Sequence, residues 1–108
     1  MGDDNSGGIN PELSATPDGA DVRILEIVNK KGLHARASAK FCQIAERFDA
    51  DVRVTRGHET VGGRSIMGLM MLGAGIGTKI TIAATGNEAT AVADALEKLV
   101  TSGFGEED

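Results

Sequence analysis

Two apolar periods alternate along residues 21–103, and this alternation restricts the chain to a small domain of mixed strands and helices. "DVRILEIVN", residues 21–29, is dominated by β-branched residues, with Val22 and Ile24 set between polar neighbours, and reads as a strand. After "KKG" the period lengthens. Apolar residues at 37, 41, 44, 45 and 48 form one stripe of a helix. "DADVRVTRGHETVGGRS" returns to period two, with Val52 and Val54 alternating with Arg53 and Thr55, and "RGHE" supplies a hairpin turn. "SIMGLMML" is a short apolar run opened by Ser65, a good N-cap, and closed by Gly73. After the flexible connection "GAGIG", the strand "TKITIAAT" alternates Ile80, Ile82 and Ala84. "GNEATAVADALEKLVTSG" is a helix with Val92, Ala95, Leu96, Leu99 and Val100 on one face, and Gly103 ends it.

The order β-α-β-β-α-β-α, with helices connecting antiparallel strands and lying on one sheet face, gives a two-layer α+β domain. A chain of 108 residues has room for one such domain and not two. With no Trp or Tyr and three Phe, its core must be filled by Ile, Val, Leu, Ala and Met. Residues 1–20 are rich in Gly, Pro, Asp, Ser and Asn and are expected to be a disordered acidic tail. The domain is expected over 21–104 and a second acidic tail over 105–108. "MGDDNS" fits a short myristoylation pattern, but two adjacent acids and the lack of a basic cluster favour a plain tail.

Charge is uneven. Eight of the 16 acids lie in the first 21 and last three residues, leaving eight against 11 Lys and Arg, so the body carries +3 within a net charge of −5. A mildly basic body suits a phosphate or an acidic partner. The scarcity of aromatic rings argues against binding single-stranded nucleic acid. One cysteine, Cys42, cannot form an internal disulfide and points to a reduced, cytoplasmic setting. No apolar run approaches the ~20 residues of a membrane span, and the start lacks a signal-peptide pattern. No residues have metal-ligand spacing, so neither metal nor cofactor is expected. His58 reads as a solvated turn residue and Cys42 as a packing residue of the first helix.

His34, in "KKGLHARAS", lies at or beside the start of the first helix, where unpaired backbone N–H groups and the helix dipole favour an anion. Arg36 is in the first helical turn, where a cation opposes the dipole; a phosphate would account for it, since guanidinium pairs with phosphate oxygens at two points. A neutral imidazole has a nucleophilic nitrogen able to take a phosphoryl group near neutral pH. By itself the motif fits an ordinary capping histidine better than a phosphoryl acceptor.

From about Asp21 to Gly103 the chain resembles the HPr family, histidine-containing phosphocarriers of the bacterial phosphoenolpyruvate-dependent phosphotransferase system. "GLHARAS" matches its active-site loop and "GGRSIMGLMMLGAGIGTKI" its second helix and following strand, with the spacing between them preserved. The resemblance implies an open-faced β-sandwich. It also implies a phosphoryl group accepted on Nδ1 of His34, Arg36 as its binding partner, and Ser65 as a regulatory phosphorylation site for HPr kinase/phosphorylase. The implied partners are Enzyme I and an EIIA-type acceptor, docking on a face that includes Ala35, Gln43, Ile66, Met67 and Met70, with the protein a monomer. Leu69 and Leu72 are expected to point inward and Met67 and Met70 outward beside His34. The family's usual proline after the arginine is replaced by Ala37. The "HARAS" and "SIMGLMML" forms resemble the branch tied to nitrogen or carbon regulation. The alternatives are a ligand-binding α+β regulatory module in which His34 only caps, and a metal chaperone, which the lone cysteine disfavours.

Overall fold

A computed structural model describes residues 19–106; the expected N-terminal tail lies, up to residue 18, outside the described residues. Strands β1 (Asp21–Glu26), β2 (Asp51–Arg56), β3 (Glu59–Gly62) and β4 (Lys79–Thr85) form one antiparallel sheet in the order β1-β4-β2-β3. Helices α1 (Ala35–Glu46), α2 (Ile66–Met71) and α3 (Ala89–Thr101) complete the β-α-β-β-α-β-α order, and a 3-10 turn over Gly103–Gly105 follows α3. This is the two-layer α+β domain that the periodicities predicted and the open-faced sandwich that the resemblance implied. Helix α3 lies against β1 and β4, and α1 packs against both other helices.

Strand β4 forms the middle of the core. It is hydrogen-bonded on both sides, and Ile80, Ile82 and Ala84 on its helix-facing side are at most 1 % exposed. Ile82 lies in register with Val54 of β2, and Ile80 with Leu25 of β1. Val92, Ala93, Leu96 and Val100 of α3 and Ala37, Phe41, Cys42 and Ala45 of α1 close over this surface. Cys42 is therefore a packing residue, and its burial pushes the thiol pKa up.

The hairpin between β2 and β3 turns through Gly57 and His58 alone. Gly57 has φ +61, as the first position of a two-residue type II′ loop requires, and His58 is exposed. Ser65 caps α2, its hydroxyl accepting from the Gly68 N–H at 2.9 Å. Leu69 of α2 and Leu72, its C-cap, are buried, while Met67, Met70 and Met71 are exposed.

Strand β1 differs from its sequence pattern. It ends at Glu26 rather than at residue 29, although Ile27 still pairs irregularly, donating to the Thr78 carbonyl and accepting from the Gly77 N–H. Its apolar alternation also has the opposite phase. Val22 and Ile24 lie on the open face, 44 % and 68 % exposed, whereas Leu25 and Ile27 turn inward. Arg23 sets this phase. It sits on the helix-facing side, in ion pairs with Asp21 at 2.9 Å and with Asp94 and Glu97 of α3 at 2.6 and 3.0 Å. The same guanidinium holds the Asp21 carboxyl below the usual carboxylate range. A charge thus occupies a position where hydrophobic patterning expects an aliphatic residue.

Ile82→Ala is expected to destabilise the fold by about 2–5 kcal/mol, the cost of a cavity in a packed core. Ile24→Ala, across the sheet on the open face, should cost less than about 1 kcal/mol. Urea midpoints with unchanged slopes check the pair; equal losses would contradict the assignment of faces.

Candidate functional site

The loop entering α1 is built on a close backbone contact. Leu33 donates its N–H to the Ala74 carbonyl at 3.0 Å. Gly32 has φ +64, and a Cβ there would lie 2.3 Å from the Ala74 oxygen, so no other residue fits without moving the backbone. Ser38, fully buried, donates its hydroxyl to the Leu33 carbonyl at 3.1 Å and its N–H to the His34 carbonyl at 2.8 Å. Together these contacts fix where α1 begins.

His34 is the N-cap of α1, with extended backbone (φ −74, ψ −179). Its Nδ1 accepts the Arg36 N–H at 3.2 Å, which identifies Nδ1 as the nitrogen that faces the helix end. Its side chain is 26 % exposed, open enough for a partner to reach. The N–H groups of Ala35 and Ala37 have no acceptor among the described residues, as expected in a first helical turn. Ala37 stands where the family resemblance expects a proline, so it contributes an N–H that a proline would lack. The Arg36 side chain is exposed and makes no hydrogen bond among the described residues.

The opposite edge of the ring meets the C-terminal end of the described chain. His34 Nε2 is hydrogen-bonded to Glu106 Oε2. Glu106 Oε1 accepts from Asn29 Nδ2 at 3.1 Å, and that same amide nitrogen donates to the Gly32 carbonyl at 2.9 Å. Upstream, Phe104 is buried with φ +60, and its carbonyl accepts from Lys40 Nζ of α1 at 2.7 Å. A non-glycine residue in this left-handed region costs about 1 kcal/mol or more. Burying a phenylalanine ring returns about 1.5–3 kcal/mol, enough to hold the turn. The hydrogen bond from His34, joined by that from Asn29 and the charge of Lys40, holds the Glu106 carboxyl below its ordinary 4.5 despite partial burial.

Of the residues singled out from sequence, His34, Ala35 and Arg36 share the start of α1, and Gln43 is exposed further along the same helix. Ile66, Met67 and Met70 form an exposed apolar surface on α2, 42 %, 69 % and 40 % exposed. Ser65 serves the N-terminus of α2, and no hydrogen bond joins it to His34 or Arg36 among the described residues. Among the described residues no group of three His, Cys, Asp or Glu side chains could hold a metal ion. No helix among them is long and apolar enough to cross a membrane. Sequence reasoning missed Asn29, Lys40 and Glu106. The one available signal was "GFGE", a phenylalanine between glycines just past a helix end, which is a pattern for a chain folding back.

A family profile described as "PTS HPr component phosphorylation site" matches residues 22–102. Phosphocarrier protein HPr of Cupriavidus necator is 48 % identical over 80 residues, covering 74 % of this chain and 90 % of that protein. Phosphocarrier protein NPr of Shewanella violacea is 40 % identical over 84 residues, covering 78 % and 92 %. The crystal structure of an HPr from Thermoanaerobacter tengcongensis superposes with a TM-score of 0.78 at 39 % identity, covering 82 % of this chain and 99 % of that one. Fold and matched sequence define a small phosphocarrier domain rather than a stand-alone enzyme. The chain belongs to the HPr family of the phosphotransferase system.

The lowered Glu106 pKa carries a sign. A carboxyl whose pKa is depressed by folding stabilises the folded arrangement above its ordinary value of 4.5, and that contribution is lost as pH falls through the depressed value. Acid titration followed by the amide signals of Phe104 and Gly105 should therefore show the C-terminal turn releasing from His34 only as pH falls below the ordinary carboxyl value of 4.5, ahead of global unfolding. Signals unchanged until the whole domain unfolds would contradict this linkage.

Proposed function

We propose that His34 is the phosphoryl acceptor of this carrier, receiving the group on Nδ1 from phosphorylated Enzyme I and passing it to an EIIA-type acceptor. The observation that carries this reading is the His34 ring itself: about a quarter exposed, with Nδ1 turned to the N–H groups that open α1. In the forward step the Nδ1 lone pair attacks phosphorus and a P–N bond forms. The donor's bond to phosphorus breaks, and its electron pair stays with the donor. The phosphoryl oxygens displace Nδ1 as acceptors for the Arg36 N–H, and the N–H groups of Ala35 and Ala37 add further donors. The Arg36 guanidinium closes on the remaining oxygens.

Docking uses the exposed surface of α1 and α2, with Ala35, Gln43, Ile66, Met67 and Met70 against the partner. Exposed methionines adapt to partners of different shape, which suits a carrier that must bind donor and acceptor in turn. Ser65 is the regulatory site for an HPr kinase/phosphorylase. A phosphate on its oxygen keeps an acceptor for the Gly68 N–H and sets about two negative charges beside the docking surface, disfavouring an acidic partner without unfolding α2. This function belongs to a monomer in the cytoplasm.

With Enzyme I and phosphoenolpyruvate the chain should gain acid-labile, base-stable phosphate, and His34→Ala should gain none. Equal labelling of that variant overturns the acceptor assignment. Ser65→Ala should still be labelled on His34, lose kinase-dependent acid-stable phosphate, and unfold about 1 kcal/mol more easily for want of the cap. Kinase-dependent label that persists in Ser65→Ala would remove that serine from the scheme.

A further inference from the structure

We propose that the open cavity between the β2–β3 turn and the start of β4 binds a small hydroxylated phosphate ester, its phosphate held by Arg56, His58 and Lys79, and that an occupant steadies the end of α2. The cavity shares no residue with the site at His34, and the proposal stands whatever that histidine does.

The cavity has a volume of about 660 Å³ and is lined by Arg56, Gly57, His58, Glu59, Thr78 and Lys79. That is the size of a small-molecule site, with room beyond a phosphate group for the body of a metabolite. Its cations come from separate points of the chain. Arg56 and Glu59 are the register pair that closes the two-residue turn, and His58 lies within the turn. Lys79 opens β4, two residues before Thr81, which pairs with Thr55 of β2. All four charged or titratable residues are exposed, and none is in an ion pair among the described residues. Two permanent cations and an imidazole thus face one carboxylate, a balance that attracts an anion.

Arg56 is already held in place. Its Nη1 donates to the Leu72 carbonyl at 3.0 Å, and its Nε and Nη2 have no acceptor among the described residues. An ordered guanidinium with spare donors costs a ligand little entropy to engage and matches two phosphate oxygens at once. Lys79 adds a point charge, and the His58 ring offers an N–H even when neutral. The rest of the lining narrows the ligand further. Glu59 opposes a second anionic group but accepts from hydroxyls. The Thr78 hydroxyl, which donates to the Gly75 carbonyl at 2.7 Å, keeps its lone pairs for the same use. A monoester with an uncharged, hydroxylated body satisfies both sets of groups.

The bond from Arg56 connects the cavity to the docking surface. Leu72 is the C-cap of α2, a helix of six residues whose last carbonyls need partners from outside it. An anion that fixes Arg56 restrains the Leu72 carbonyl through the same guanidinium, and mass action then favours the closed end of α2.

Amide spectra of the full chain, in phosphate-free buffer at constant ionic strength, test the proposal with glucose 6-phosphate, inorganic phosphate and glucose as probes. Glucose 6-phosphate should give saturable shifts at Gly57, His58, Glu59, Thr78 and Lys79. Inorganic phosphate should shift the same signals with lower affinity, and glucose should shift none. Lys79→Gln and His58→Gln, both at exposed positions, should each weaken the ester on the order of 3-fold, and together about 10-fold. Glu59→Ala should narrow the advantage of the ester over inorganic phosphate. Arg56 is left in place, because its loss would also free the Leu72 carbonyl. Saturating ester should slow hydrogen exchange of the Leu72 and Gly73 amides about 2-fold or more. His34→Ala should bind as the wild type does. The proposal is overturned if no saturable shift occurs at the cavity, if chloride at equal ionic strength reproduces it, or if the double variant binds unchanged. Shifts confined to the start of α1, or binding lost in His34→Ala, would also overturn it by placing the anion there. Binding at the cavity without slower exchange at Leu72 and Gly73 would overturn its link to α2.

Discussion

The contact between the Leu33 N–H and the Ala74 carbonyl, with Gly32 pressed against the same oxygen, holds together everything that matters for the site. It joins the loop before α1 to the loop after α2. It thereby sets the start of α1, the direction of the His34 ring and the placing of the α2 surface relative to both. The contact can persist because β4 beneath it is paired on both sides and buried on one face, giving both loops a rigid base. The chain has very few aromatic rings, so this base relies on close-packed aliphatic residues, and glycine is used where two backbones must touch.

From that base the site draws on elements far apart in sequence. Helix α1 supplies the histidine and backbone donors, the turn after β1 supplies Asn29, and the end of the described chain supplies Glu106. One edge of the imidazole faces the backbone N–H groups that open α1, and the other faces the Glu106 carboxylate. A carrier needs a phosphohistidine that forms without a deep pocket and still gives up its group on contact with the next partner. In the proposed scheme, placing polar groups on the two edges of the ring, rather than over its exposed side, meets both needs.

Much of the fold was legible because its strongest elements obey one period each. In β4 the alternating Ile80, Ile82 and Ala84 gave the inward face, and Val92, Leu96 and Val100 did the same for α3. In β1 the pattern misled, because the helix-facing Arg23 finds its partners, Asp94 and Glu97, about 70 residues away in sequence, and no local window contains that pairing. The site divided similarly. His34, Arg36 and Ser65 stood out because helix starts have local signatures. Glu106 did not, since its contact with His34 depends on a left-handed Phe104 and on Asn29 and Lys40 in other segments. Within an acidic run at the end of the chain it looks like any other solvated charge.

The central claim is that this chain carries phosphate on one particular nitrogen. Phosphorus-to-proton correlation spectra of the phosphorylated protein, with His34 ring protons assigned, test it most directly. The account predicts one phosphoramidate signal, coupled to the ring through Nδ1 and absent in His34→Ala. A phosphate on Nε2, on any other side chain, or on several at once would contradict it.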